Sequence, residues 1–251
     1  MHAGDLGAFQ DAVGGLFFIE ISTRRWHRSY AAGILYLNLQ LKDFYTANRG
    51  LTQIHLTVNM VRGKDGAFPT LKCKAAECRH LAAFAVVLAR RQAHGARGRE
   101  PFAFPPGPLR AYSEEYRTLI VQMAEGMNNY HQACQAEVFS AAICRTSMSE
   151  FLHTMSSLRA LFRRGLPAER QAAQPFPLRP KAHMLDHLVR QKIALWGTPR
   201  NFWCYGDEDF VGAIKRIAMQ TKHPKSMERV LLAKYRLFAG LHAYSLALAN
   251  V

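Results

Sequence analysis

Acidic residues are scarce in this chain. Only 18 Asp and Glu stand against 33 Lys and Arg in 251 residues, which leaves a formal charge of +15 and an isoelectric point near 10.0. That balance argues against a cationic partner and favours polyanions. Nucleic acid is the first expectation, because Lys and Arg displace the counterions condensed on phosphates. DNA is preferred to RNA, and an acidic membrane face or acidic protein is the competing class.

Long apolar runs are missing too. Nothing approaches the ~18 residues of a membrane span, so no membrane insertion is expected. Asp5 and Asp11, with no basic start before GGLFFIEI, do not make a secretory leader. Cysteine is sparse and odd in number, at 73, 78, 134, 144 and 204. Cys73 and Cys78 are spaced too widely for a Cys-x-x-Cys knuckle, and no zinc-finger pairing exists. Reduced thiols in an intracellular compartment, nuclear or cytoplasmic, are expected.

What is present is mainly helical pattern. Leu71, Ala75, Cys78, Ala82, Val86 and Ala89 fall on one face of a helix, and Tyr112, Tyr116, Leu119, Ile120, Met123, Met127 and Tyr130 recur at three and four residues. Phe151, Met155, Leu158 and Phe162 share the face of another helix. The Met and aromatic stripes are core. Residues 30–48 read as a helix stopped near Gly50, and 51–61, with Ile54, Leu56, Val58 and Met60 at period two, read as a short extended segment. Residues 16–21 (LFFIEI), bounded by Gly14 and Gly15, read as a lone strand or arm. A strand needs a partner that the rest does not offer, which points to the C-terminal part of a longer protein.

The fold expectation is therefore mainly α: an irregular bundle of about six to seven helices with a short β element near the N-terminus. An arm over 1–29 precedes a single helical domain over 30–251, with Gly/Pro-rich loops at 93–108 and 165–180.

Chemically capable groups concentrate between 179 and 217. A helix entered after Pro180 carries His183 and His187, four apart and so on one face, a spacing that suits two imidazole ligands of one metal. Hydrogen-bonded or buried helix histidines are the competing reading. A turn comes next, where Trp196, Phe202, Trp203 and Tyr205 call for burial. Asp207, Glu208 and Asp209 then precede an apolar helical face, where carboxylates cap free N–H groups. The sharper reading gives Asp207 and Glu208 a divalent metal, Mg2+ if the site is catalytic; otherwise no cofactor is expected. Lys215, Arg216, Lys222, Lys225 and Arg229 are the candidate phosphate contacts, with Arg97 and Arg99 in the 93–108 loop as a second basic-aromatic set.

These blocks carry a resemblance. RPKAHMLDHL (179–188) followed by GTPRNFWCYGDEDFVGAIKRI (197–217) is similar to the closing part of several DNA transposase families with an RNase-H-like catalytic core, and LKCKAAECRHLAAF (71–84) resembles a helix of their all-α insertion. Multicopy uncharacterised protist proteins show a similar order of KAAECR, PKAH and WCYGDED blocks over about 30–235. The resemblance implies that Glu208 matches the last acidic residue of the transposase triad. The two earlier carboxylates have no evident counterpart, and LFFIEI with Glu20 does not supply one. It thus implies a transposase-derived or truncated nucleic-acid-binding module; a helical interaction protein and a metal-dependent nuclease are the alternatives.

Overall fold

The computed structural model describes residues 4–23, 29–61, 68–94, 114–164, 171, 174–199, 229–230, 232–233 and 236. Helices dominate, and no strand occurs among the described residues. They are α1 (Phe9–Thr23, entered through a π turn at Gly4–Ala8), α2 (Tyr30–Ala47), α3 (Val58–Val61), α4 (Ala75–His94), α5 (Glu114–Gln135), α6 (Ala141–Arg163) and α7 (Pro180–His187). A π turn at Leu188–Lys192 continues α7 into a last helical turn, Ile193–Trp196. By contact density the chain divides into two compact units, Met1–Trp203 and Cys204–Val251. Helices α1 to α7 all belong to the first.

The expected short β element is corrected: residues 16–21 belong to α1. Phe9, Ala12, Val13, Leu16, Phe17, Ile19 and Ile21 are all buried, so this helix is enclosed on nearly every side. A helix surrounded by protein shows no amphipathic period, and its β-branched run then looks like a strand. Residues assigned to an N-terminal arm thus supply part of the core. Phe9 sets its ring against Phe151 (centroids 5.0 Å apart) and Tyr130 (5.8 Å), while Phe17 meets Phe84 at 6.1 Å.

Close approach around α1 depends on glycine. A Cβ at Gly14 would lie 2.4 Å from the Leu71 backbone nitrogen and 2.6 Å from Thr70 backbone atoms. The 68–74 segment can therefore lie directly on the helix, where Leu71 N–H donates to the Gln10 carbonyl at 3.0 Å and Gln10 Nε2 donates to the Cys73 carbonyl at 2.7 Å. One residue on, Gly15 leaves room for Phe176, whose ring would stand 2.9 Å from an added Cβ. Phe176 is fully buried and holds φ 60°, an uncommon backbone state for an aromatic residue. The proline-flanked connector thus inserts its one aromatic side chain into the core.

The amphipathic helices follow their sequence patterns. Ser29 and Ser140 accept from the N–H groups of Ala32 and Ile143 and so cap α2 and α6, and the Glu77 side chain accepts from Lys74 N–H at the start of α4. Cys78, Ala82 and Ala89 on α4, Tyr116, Ile120, Met123, Met127 and Tyr130 on α5, and Phe151, Met155, Leu158 and Phe162 on α6 are buried. The most extensive helix pairing is α5 against α6, where Gly126 lets the backbones approach: a Cβ there would lie 3.0 Å from Phe151 N.

Residues 52–57 are neither helix nor strand, with Ile54 and Leu56 buried between exposed neighbours, as their alternation implies. They pair with side chains instead of a strand. Asn38 on α2 donates to the Leu56 carbonyl and accepts its N–H (2.9 and 2.8 Å), and Tyr45 Oη accepts from Ile54 N–H at 3.3 Å. Val58 and Met60, expected to extend that segment, lie instead in the short helix α3.

Candidate functional site

Charge has been placed in two very different settings in the first unit. The interior setting is unusual: Asp5, Asp11 and Glu20, from α1 and the turn before it, are all fully or almost fully buried. An ionised carboxylate in an apolar interior persists only with partners, and Asp11 and Glu20 have theirs. Arg179 makes a bidentate pair with Asp11, both contacts 2.6 Å, and Thr70 Oγ1 donates to the same carboxylate at 2.8 Å. Burial lifts the Asp11 carboxyl above its ordinary value, and the bonds from Arg179 and Thr70 oppose that lift.

Glu20 accepts from Gln92 Nε2 at 3.0 Å, and Gln92 accepts in turn from Tyr116 Oη at 3.0 Å, which links α1, α4 and α5. Asp5 faces His131 Nε2 at 3.3 Å. Burial holds the His131 imidazole neutral, its pKa lowered to about 3, and the nearby positive charge of Arg79 adds to that shift. Three carboxylates on different partners are cross-links between helices, not a cluster around one ion. No group of three or more His, Cys, Asp or Glu suited to a metal occurs among the described residues.

Thiols are also interior. Cys134 and Cys144 bring their sulfurs to 3.7 Å at the α5–α6 corner, and the bond with Cys144, together with burial, pushes the Cys134 thiol up. Cys78 is pushed up by its bond with Cys73 and by burial. The four described cysteines are free.

The exterior setting is a groove of about 800 Å³ along α2, lined by Leu35, Leu39, Lys42, Arg49, Gln53 and His55 among others, with no carboxylate among the described residues of its lining. Neither Lys42 nor Arg49 forms an ion pair with a described residue. Leu35 and Leu39 stand 62% and 56% exposed, one turn apart, opposite the buried stripe of Ile34, Leu37 and Leu41. Sequence reasoning missed this groove, since its cations are spread over 42–55 instead of forming a run.

Of the residues singled out from sequence, Asp207, Glu208, Lys215, Arg216, Lys222, Lys225, Arg97 and Arg99 lie outside the described residues, as do Phe202, Trp203 and Tyr205. Arg229 is helical and exposed. His183 and His187 come together as expected from their spacing: both are exposed, and their Nε2 atoms are 3.0 Å apart. Trp196, expected to be buried, is 54% exposed, with Lys192 Nζ 5.4 Å from its ring centroid. It sits at the last helical residue before Gly197, whose φ of 75° ends the helix and turns the chain.

No helix among the described residues is long and apolar enough to cross a membrane. Neither a family model, nor a curated protein, nor a solved structure matches the chain.

Proposed function

We propose that this chain is a nucleic-acid-binding protein, acting on DNA, whose phosphate contacts come from a diffuse basic surface. The observation that carries the reading is the +15 charge over a chain in which three of the 18 carboxylates are consumed inside the core. Burial removes acid from the surface, so the exterior is more basic than composition alone implies. The carboxylate-free groove with Lys42 and Arg49 is one place for a phosphate backbone. Arg229, with Lys215, Arg216, Lys222 and Lys225, is the other candidate contact set. The resemblance to transposase closing segments supports the same partner, with Glu208 as the one residue through which Mg2+-dependent chemistry would run.

A second reading is favoured by Leu35 and Leu39, which fit a helix-binding protein partner better than a phosphate. One titration separates the two. Labelled duplex DNA should bind at ~50 mM salt and lose affinity steeply by ~200 mM, with log K linear in log salt. Leu35→Ser with Leu39→Ser, which adds no charge to the groove, should leave that binding nearly intact. Absence of salt-dependent binding would overturn the nucleic-acid reading, and a protein partner released by the leucine changes would establish the second.

A further inference from the structure

We propose that His183 and His187 form a bidentate site for a single divalent first-row transition-metal ion on the exposed face of α7. Two features of the geometry carry this beyond the i, i+4 spacing. The Nε2 atoms stand 3.0 Å apart with ring planes at 89° and centroids 4.4 Å apart. Metal–imidazole bonds of roughly 2.0–2.1 Å place two cis nitrogens about 2.9 Å apart at a right angle and about 3.4 Å apart at a tetrahedral angle. The observed separation matches the right-angle arrangement and reaches the tetrahedral one by a small rotation of exposed side chains. An ion therefore replaces the proton the two nitrogens otherwise share.

The second feature is the partner of the remaining ring nitrogen. Gln191 places its amide nitrogen 3.0 Å from His187 Nδ1. A half-turn of that amide on metal binding brings its oxygen to the same place, where it accepts the Nδ1 proton and leaves the Nε2 lone pair free. Asp186 does not compete, because Arg190 Nε donates to it at 2.6 Å. Imidazole donors select borderline ions such as Zn2+, Ni2+ or Cu2+ over Mg2+, so this site differs in kind from an acidic Mg2+ site. Water completes the coordination.

The test is a titration of the full chain with Co2+ and Zn2+, following Co2+ absorption and the change in melting temperature on adding Zn2+. The expected result is one site whose spectrum lacks a sulfur-to-metal band. Either His183→Gln or His187→Gln should weaken it at least tenfold, and Gln191→Ala should weaken it less. Both histidines are exposed, so the variants should melt like the parent without metal. A sulfur-to-metal band unaffected by the histidine changes would place the metal on the thiols and overturn the proposal. Loss of half the bound metal in each single variant would mean two independent imidazoles, and would overturn it as well.

Discussion

Helices α1 and α2 are neighbours in the chain and treat charge in opposite ways. The first is buried on nearly every side, and Asp11 and Glu20 on it, like Asp5 in the turn before it, face inward to other elements. The second buries one stripe and leaves Leu35, Leu39, Lys42 and Asp43 toward solvent, with Arg49 just past its end. Density of ionisable groups is therefore a poor guide to function in this protein. The inward carboxylates fix how α1 sits against α4, α5 and the 174–180 connector, while Lys42 and Arg49 pair with no carboxylate among the described residues. A buried ion pair is costly to assemble and costlier to break from one side, whereas an exposed cation is almost free to change.

The largest test of that contrast is Arg179→Ala. It leaves the Asp11 carboxylate inside without its guanidinium, and should cost about 3 kcal/mol in a denaturant melt, the low end for a broken buried pair because the Arg179 side chain keeps 35% of its surface exposed. Adding Asp11→Asn removes the stranded charge and should restore part of the loss. If the single variant melts like the parent, the inward pairs are not what holds α1.

Gly14→Ala should cost about 3 kcal/mol, the upper end for overpacking, since the new methyl meets backbone, which cannot rotate away. The same substitution at Gly50, where φ is 89° and open space surrounds the added Cβ, strains the backbone only locally and should cost about 1 kcal/mol. Equal losses at the two positions would contradict the close seating of the 68–74 segment.

Acid gives a smaller, graded effect. His131 is neutral in the fold down to about pH 3, while in the unfolded chain it takes a proton near its ordinary 6.5. The unfolded state thus binds more protons between those values, and stability falls as pH drops through that window, by at most about 1.4 kcal/mol per pH unit. Asp11, raised by burial, works with the opposite sign just above 3.8. Melts of His131→Gln between pH 6.5 and 4 should show a shallower decline than the parent. An unchanged slope would mean that His131 is not the group responsible.

Much of the helical frame was legible because α4, α5 and α6 each bury one face, and period and burial then coincide. The strand expectation at 16–21 failed for the converse reason: burial on every side erases the period. The contacts that seat α1 were not legible either. Asp11 and Arg179 are 168 residues apart, and nothing local distinguishes an inward carboxylate from a helix cap. Of the candidate site, the histidine pair could be read from spacing, because four residues of helix fix it. The α2 groove could not, because it forms only when 52–57 is tied down by Asn38 and Tyr45.

Whether the outward cations serve phosphate can be read from the salt dependence of duplex DNA binding for the Lys42→Ala, Arg49→Ala double variant beside the parent, with melting temperature taken on the same samples. Melting should be unchanged, and the log–log salt slope should be shallower by about 1.8, the loss of two phosphate contacts. An unchanged slope would contradict a role for Lys42 and Arg49 on phosphate.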